Sequence, residues 1–202
     1  MDRSSVNAHV FMNLSSSLRS LSLAGCDLQG KFPKNIFDLP NLNLLNLRDN
    51  QNLNLDALEF NWSSNLEHLD LSGANFFGGL PDSMGNLVSL KFLVISDSNL
   101  SGPVPRSLGN LLLLTHLDLG SNKLSGQIPL SILNLTQLEY LEISENFLEG
   151  SIPDEVTAVP NLIYLGLSDN LLNGTLPSWL YTAPSLKGII LSQNQFSGHI
   201  KE

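Results

Sequence analysis

The sequence contains very little cysteine, little charge and no long apolar run. Cys26 is the only cysteine, so no disulfide can form within the chain. No segment approaches the roughly 18 to 20 consecutive apolar residues of a membrane helix, so no membrane segment is predicted in this sequence. Charged residues make up only 14% of the 202 residues, and the formal net charge is −9. This balance argues against nucleic acid as a partner, because few cations are available to neutralise phosphates, and it favours a partner with basic groups.

A period of 24 residues runs through the chain. A leucine opens each unit, a second Leu or Ile follows three residues later, and a third aliphatic residue follows two positions after that. Chance does not produce eight such units, and a repeat that cannot bury its own apolar face must stack on its neighbours. We therefore predict a solenoid over residues 18–202, with residues 1–17 as the remnant of a preceding repeat or an irregular lead-in. The units start at residues 18, 42, 66, 90, 114, 138, 162 and 186, and the last is incomplete.

Each part of the unit has a predicted structural role. The x-L-x-L-x segment alternates with period two, which predicts a short strand with its leucines facing the core. Asparagine dominates the position eight residues into the unit, where its amide can pair with the backbone of neighbouring coils in a ladder. Cys26 occupies this position in the first unit, so we predict a ladder residue rather than a reactive thiol. Gly and Pro recur later in most units, as in "LSGQIP", and predict a turn before short helical segments.

Units of the form L-x-x-L-x-L-x-x-N-x-L-x-G-x-I-P-x-x-[ILM]-x-N-L resemble the plant extracellular subtype of leucine-rich repeat. The resemblance implies an α/β solenoid: a right-handed superhelix of about eight repeats of 24 residues. It also implies a concave parallel β-sheet, a second shorter sheet, and short 3-10 or helical segments on the convex side. The irregular unit 42–65 has Asn54 and Ala57 where Gly and Pro are expected. This degenerate unit makes the chain most similar to the ectodomains of plant receptor-like proteins.

The same resemblance implies a non-enzymatic recognition scaffold without cofactors. It would lie at the extracellular face of the plasma membrane or in the apoplast, act in defence or developmental signalling, and bind a peptide or protein, together with a co-receptor. Receptor kinases, secreted polygalacturonase inhibitors and structural or co-receptor solenoids share the repeat and stay as alternatives. The sequence shows no signal peptide and no paired-cysteine cap, and it stops within a unit at "FSGHIKE". We therefore expect a fragment of a larger ectodomain.

The outward strand positions are the candidate ligand-binding residues. Adjacent strands lie about 4.8 Å apart, so equivalent positions of successive units form columns across the sheet. Rings flanked by carboxylates are typical of binding surfaces, although sheets also favour aromatic residues for packing alone. The candidates are the ring column His68, Phe92, His116, Tyr140 and Tyr164, the acidic positions Asp70, Asp118 and Glu142, and the strand-exit residues Asp97, Glu145 and Asp169.

An enzyme is the alternative to this binding scaffold. His116, Asp118 and Ser121 stand within six residues, but positions i and i+2 of a strand are about 6.5 to 7 Å apart, too far for an orienting pair. His68 and His116 are two strands apart, about 10 Å, too far to share one metal ion without other ligands. We therefore predict neither a catalytic site nor a metal site.

Five N-x-[ST] sequons are compatible with a secreted, glycosylated surface. They are weak evidence in a chain so rich in Asn, Ser and Thr. The candidate asparagines are Asn13, Asn61, Asn99, Asn134 and Asn173.

Overall fold

A computed structural model describes residues 6–7, 14–56, 64–154 and 159–198 of the chain. Each of the eight units contributes one three-residue strand to a parallel sheet, called the concave sheet below. Its strands lie side by side in the order of the units: β2 (Ser20–Ser22), β4 (Leu44–Asn46), β6 (His68–Asp70), β8 (Phe92–Val94), β10 (His116–Asp118), β12 (Tyr140–Glu142), β14 (Tyr164–Gly166) and β16 (Gly188–Ile190).

The register of this sheet follows the 24-residue period. His116 lies opposite Phe92 on one side and Tyr140 on the other, and the remaining neighbours pair in the same way. In β10 the central Leu117 is buried, while its two neighbours are half-buried and face outward. The predicted period-two strand is thereby confirmed.

A second layer of strands forms beside the Gly and Pro positions, as the resemblance implied. It comprises two parallel sheets. The first contains β1 (Val6–Asn7), β3 (Leu28–Lys31), β5 (Leu53–Asp56) and β7 (Asn75–Phe77), and the second contains β9 (Ser101–Pro103), β11 (Lys123–Gln127), β13 (Phe147–Gly150), β15 (Leu171–Gly174) and β17 (Gln195–Phe196). Strand β5 forms in the irregular unit because backbone pairing with both neighbours does not need the missing glycine. The boundary between residues 17 and 18 stays a prediction.

Short helices cover the convex side, as predicted. A proline with φ near −70° precedes each 3-10 helix, for example Pro105 at −72°. Neighbouring helices approach very closely: a Cβ atom on Gly109 would lie only 2.5 Å from the carbonyl oxygen of Ser131. The elements are the 3-10 helices Lys34–Asp38, Asp82–Asn86, Arg106–Asn110 and Leu130–Asn134 and the single helical turn Trp179–Thr182. No helix among the described residues has both the length and the apolar character needed to cross a membrane.

The core and the asparagine ladder lie between these layers. The leucines that open six successive units, from Leu42 to Leu162, are completely buried. Asn50 illustrates the ladder: its Oδ1 accepts from the Leu28 N–H at 2.9 Å, and its Nδ2 donates to the Leu23 carbonyl at 2.9 Å. Ala74 occupies a ladder position but has no amide, so it interrupts the ladder. Cys26 occupies the ladder position of the first unit, is solvent-exposed, and donates from Sγ to the carbonyl of Ala24 in its own unit at 3.6 Å.

Candidate ligand-binding surface

The predicted ring column exists: the rings from Phe92 to Tyr164 are stacked on each other, and His68 is tilted by 33° against Phe92. They stand across five adjacent strands with centroid separations of 4.7 to 5.2 Å. His116 and Tyr140 are nearly parallel, with an interplanar angle of 8°. The π-faces inside the column therefore cover one another, and the rings present their edges to solvent. The members, in order, are His68, Phe92, His116, Tyr140 and Tyr164.

The acidic positions have a structural role that the spacing of residues does not reveal. Each side chain accepts a hydrogen bond from the backbone N–H two residues later and so fixes the exit from the strand. Asp118 Oδ1 accepts from Gly120 at 2.9 Å, and Glu142 Oε1 accepts from Ser144 at 2.7 Å. Asp70 accepts from the N–H and the hydroxyl of Ser72. An amide serves as well, because Asn46 Oδ1 accepts from the Arg48 N–H at 3.0 Å.

Three titratable groups around Asp118 and Glu142 have raised pKa values. Burial raises the pKa of the Asp118 carboxyl, and the charges of Glu142 and Asp70 raise it further. Burial together with Glu142 raises the pKa of Tyr164 to about 12, and the same two causes raise the pKa of Tyr140. Tyr164 also donates a hydrogen bond from its hydroxyl to Glu142 Oε2 at 3.1 Å. Burial is thus the main cause of these shifts, and the carboxylates of Asp118 on β10 and Glu142 on β12 add to it.

The strand-exit residues Asp97, Glu145 and Asp169 are exposed, as expected, but their backbone conformation is unusual. All three adopt positive φ, between 49° and 56°, and Ser121 does so at 51°. Aspartate is enriched in this left-handed region, so backbone geometry is one reason for acidic residues here. Gly25 and Gly73 occupy the equivalent position of their units and also have positive φ. Because glycine favours this region, these two residues are the sequence signal for the conformation.

An open depression of about 360 Å³ lies where the acidic positions meet the strand exits. Glu142 and Tyr164 belong to its wall, and so do hydroxyl groups outside the predicted set of residues. Ser96, Ser144 and Ser168 occupy the same position, six residues after the leucine that opens each unit, and Gly120 takes this position in the unit between Ser96 and Ser144. This recurrence is the sequence signal that identifies them. The lining residues are Ser96, Asp118, Gly120, Ser121, Glu142, Ser144, Glu145, Tyr164 and Ser168.

The candidate catalytic residues do not form a catalytic arrangement. Ser121 donates its hydroxyl hydrogen bond to Glu145 at 2.8 Å, Asp118 binds the Gly120 N–H, and His116 Nδ1 is buried without a hydrogen-bond partner. Nothing therefore links the hydroxyl, the imidazole and the carboxylate. Among the described residues, no group of three or more His, Cys, Asp or Glu side chains could hold a metal ion.

Three of the five sequon asparagines lie in the described part of the chain. Asn134 is exposed at the end of a 3-10 helix, and Asn173 is exposed on β15. Asn99 is exposed as well, but its amide donates to Asn75 at 3.4 Å and accepts from Lys123 Nζ at 3.0 Å. The other two candidates, Asn13 and Asn61, lie outside the described residues.

Comparison with known proteins agrees with this architecture. The profile described as Leucine Rich Repeat matches more than half of the chain, in six segments. Receptor-like protein 6 of Arabidopsis thaliana is 36% identical over 77 residues, which cover 38% of this chain and 8% of that protein. The segments are residues 17–39, 65–87, 89–111, 113–135, 137–158 and 161–183.

Solved structures match the fold over most of its length. The PEPR1–AtPEP1 complex superposes with a TM-score of 0.86 and 38% identity, covering 93% of this chain and 26% of that one. The Arabidopsis receptor kinase HAESA, in complex with the peptide hormone IDA and the co-receptor SERK1, superposes with a TM-score of 0.87 and 32% identity. This match covers 92% of the present chain and 31% of HAESA. The plant peptide hormone receptor RGFR1, in complex with RGF2, superposes with a TM-score of 0.82 and 32% identity. This match covers 94% of the present chain and 31% of RGFR1.

The chain thus spans less than a third of the length of each of these relatives. Leucine-rich-repeat ectodomains are non-catalytic scaffolds, in agreement with the separation of His116, Asp118 and Ser121. The chain belongs to the leucine-rich-repeat family and has the architecture of the ligand-binding ectodomains of plant receptors.

Proposed function

We propose that this chain is part of a plant cell-surface receptor-like protein and that its concave sheet binds a peptide or protein with basic groups. The proposal rests on one observation: the carboxylates of Asp118 and Glu142 lie side by side, next to the stacked rings, at an open depression on β10, β12 and β14. A low-dielectric, ring-lined surface with adjacent carboxylates favours cationic groups over neutral ones.

The relatives support a peptide ligand. HAESA is found in complex with the peptide hormone IDA and the co-receptor SERK1, and RGFR1 is a plant peptide hormone receptor in complex with RGF2. We extend this to the present chain: it recognises its ligand outside the cell, in a membrane-associated and glycosylated protein that signals in defence or development with a co-receptor. The ligand-binding candidates on β6 to β14 and the exit residues Asp97, Glu145 and Asp169 form the proposed contact surface.

The test must neutralise charge without damaging the strand exits. Charge reversal at Asp118 or Glu142 would also remove a backbone hydrogen bond, so its effect could arise from the fold. Asp118→Asn and Glu142→Gln keep an oxygen for the same N–H, as Asn46 does in its own unit. These isosteric variants therefore separate charge from structure.

The experiment screens the chain against an immobilised library of synthetic peptides that differ in net charge. We expect selection of peptides rich in Arg and Lys, and we expect the double variant to bind them roughly tenfold more weakly, for a loss of about 1.4 kcal/mol. Glu149→Gln, on the second layer, is the matched control for the single variant Glu142→Gln, because it removes one glutamate charge outside the concave sheet. Selection without regard to charge, or equal weakening by the control, would refute the proposal.

A further inference from the structure

The ring column ends abruptly at Tyr164. Its inner members have a ring on both sides, but Tyr164 has only Tyr140, at 4.7 Å. On its other side the register partner is Gly188, which has no side chain. The outer π-face of Tyr164 is therefore the one face at this end that no neighbouring side chain of its column covers.

Two glycines shape the space around this face. A Cβ atom on Gly188 would lie 3.0 Å from Tyr164 Cδ2, so the ring stands directly beside that backbone position. A Cβ atom on Gly166 would overlap the Glu142 carboxylate, so this carboxylate lies across Gly166. The surface formed by Tyr164, Glu142, Gly166 and Gly188 is called the glycine notch below. It places a bare aromatic face next to a carboxylate.

The hydrogen bond between these two side chains fixes their relative position. Because the Tyr164 hydroxyl donates to Glu142 Oε2 at 3.1 Å, the carboxylate stands at the hydroxyl end of the ring. A group stacked on the outer face of Tyr164 would lie over Gly188 on β16. This strand is adjacent to β14, which carries Gly166, at a spacing of roughly 4.8 Å. A flat cation in this place can contact the ring with its face and direct N–H groups at the carboxylate.

A guanidinium group fits this geometry better than an ammonium group does. It is planar, it stacks on aromatic faces, and it keeps N–H donors in its plane for a carboxylate. An ammonium group is a compact, strongly hydrated charge that cannot stack. We propose that the glycine notch binds an arginine side chain of the ligand. This inference rests on the proposed function, a basic ligand on the concave sheet, and specifies the residue type that one position selects.

The test compares two peptides of equal charge, acetylated tetra-arginine amide and acetylated tetra-lysine amide, by titration calorimetry at fixed salt. The wild-type chain should prefer the arginine peptide by roughly fivefold, the ratio expected from a cation–π contact at a surface site. Gly188→Phe should continue the column over Tyr164 and reduce this ratio to about one, with binding of the lysine peptide unchanged. Aromatic residues occupy the equivalent position on β8, β12 and β14, and the Tyr164 ring has to shift by a few tenths of an ångström to admit the new Cβ atom.

Two controls separate stacking from folding and from general effects of an added ring. Ser20→Phe places a phenylalanine at the same phase of β2, at the far end of the sheet, and should leave the arginine preference intact. Tyr164→Leu removes the π-face and should abolish the preference. Circular dichroism melting verifies that each variant is folded.

The outcomes distinguish this inference from the proposed function. Binding of both peptides with equal affinity would overturn the arginine site and leave a basic ligand in place. Binding of neither peptide would refute the proposed function, and the arginine site with it. Tighter binding of acetyl-tryptophan amide than of the arginine peptide, lost in Gly188→Phe, would show that the notch takes an aromatic group and would also overturn the inference.

Discussion

Replacing Asn122 by alanine should reveal how much of the stability depends on the asparagine ladder. This buried amide serves two coils at once. Its Oδ1 accepts from the N–H groups of Ser98 and Leu100 at 3.1 and 3.0 Å. Its Nδ2 lies 2.6 Å from the Ile95 carbonyl and 3.0 Å from the carbonyls of Leu119 and Gly120.

The magnitude follows from counting the groups that would lose their partner. The Leu119 carbonyl keeps the amide of Asn146, and the Gly120 carbonyl keeps the N–H of Asp97. Three groups lose the Asn122 bond without such a replacement: the N–H groups of Ser98 and Leu100 and the Ile95 carbonyl. At about 1 kcal/mol each, the low end for an unsatisfied buried group, Asn122→Ala should lower the free energy of unfolding by about 3 kcal/mol.

Asn194→Ala is the matched comparison. Asn194 is only half-buried, and its Oδ1 accepts from a single N–H, that of Leu172, at 3.0 Å. Because water can reach this position, the loss should be about 1 kcal/mol. Urea unfolding monitored by circular dichroism and by tryptophan fluorescence measures both values. Equal losses for the two variants, or a change below about 0.5 kcal/mol for Asn122→Ala, would contradict this account of the ladder.

Three further predictions concern the convex side, the concave sheet and the sequons. Gly109→Ala should lower the free energy of unfolding by about 2 kcal/mol in urea titrations, because its Cβ would force the helix away from the Ser131 carbonyl; an unchanged midpoint would show that the helices can separate freely. Burial raises the pKa of Asp118 above 3.8, so its protonated form stabilises the fold in acid and this contribution is lost as the pH rises through the folded-state pKa. Asp118→Asn should therefore be more stable than wild type at about pH 7, with the difference gone at about pH 3, in thermal melts; a pH-independent difference would contradict the assignment. In protein secreted from plant cells, mass spectrometry should find a glycan on exposed Asn134 and none on Asn99, whose amide is engaged by two neighbours; the reverse occupancy would refute this ranking.

The sequence predicts the concave surface down to individual neighbours. Because Leu114 and its equivalents every 24 residues fix the position of each strand, the spacing alone places His116 beside Phe92 and Tyr140, and the sheet register confirms both neighbours. The same spacing predicts that His116 and Asp118 do not form a catalytic pair, and in the structure Asp118 binds the Gly120 N–H while His116 Nδ1 has no hydrogen-bond partner. Periodicity succeeds here because each unit contacts only its neighbours, so short-range spacing determines most contacts.

The direction and the partner of each side chain lie beyond what the sequence could supply. Nothing in the spacing indicates that Asp118 and Glu142 bind the N–H two residues later, or that Glu142 lies across Gly166. These contacts depend on side-chain rotamers and on the turn that follows each strand. The irregular unit shows the same division: the sequence shows Asn54 in place of Gly, and only the structure shows that β5 still pairs with both neighbouring strands.

The sequence by itself determined the solenoid, its register and the columns of residues that face outward from the concave sheet, because the 24-residue leucine period fixes how each unit buries its apolar face. Only the tertiary structure decided that the rings stack on one another, that the column ends in a bare face at Tyr164, and that a carboxylate stands beside that face. Ring planes and carboxylate positions are set by contacts between strands, and the spacing of residues along one strand does not specify them.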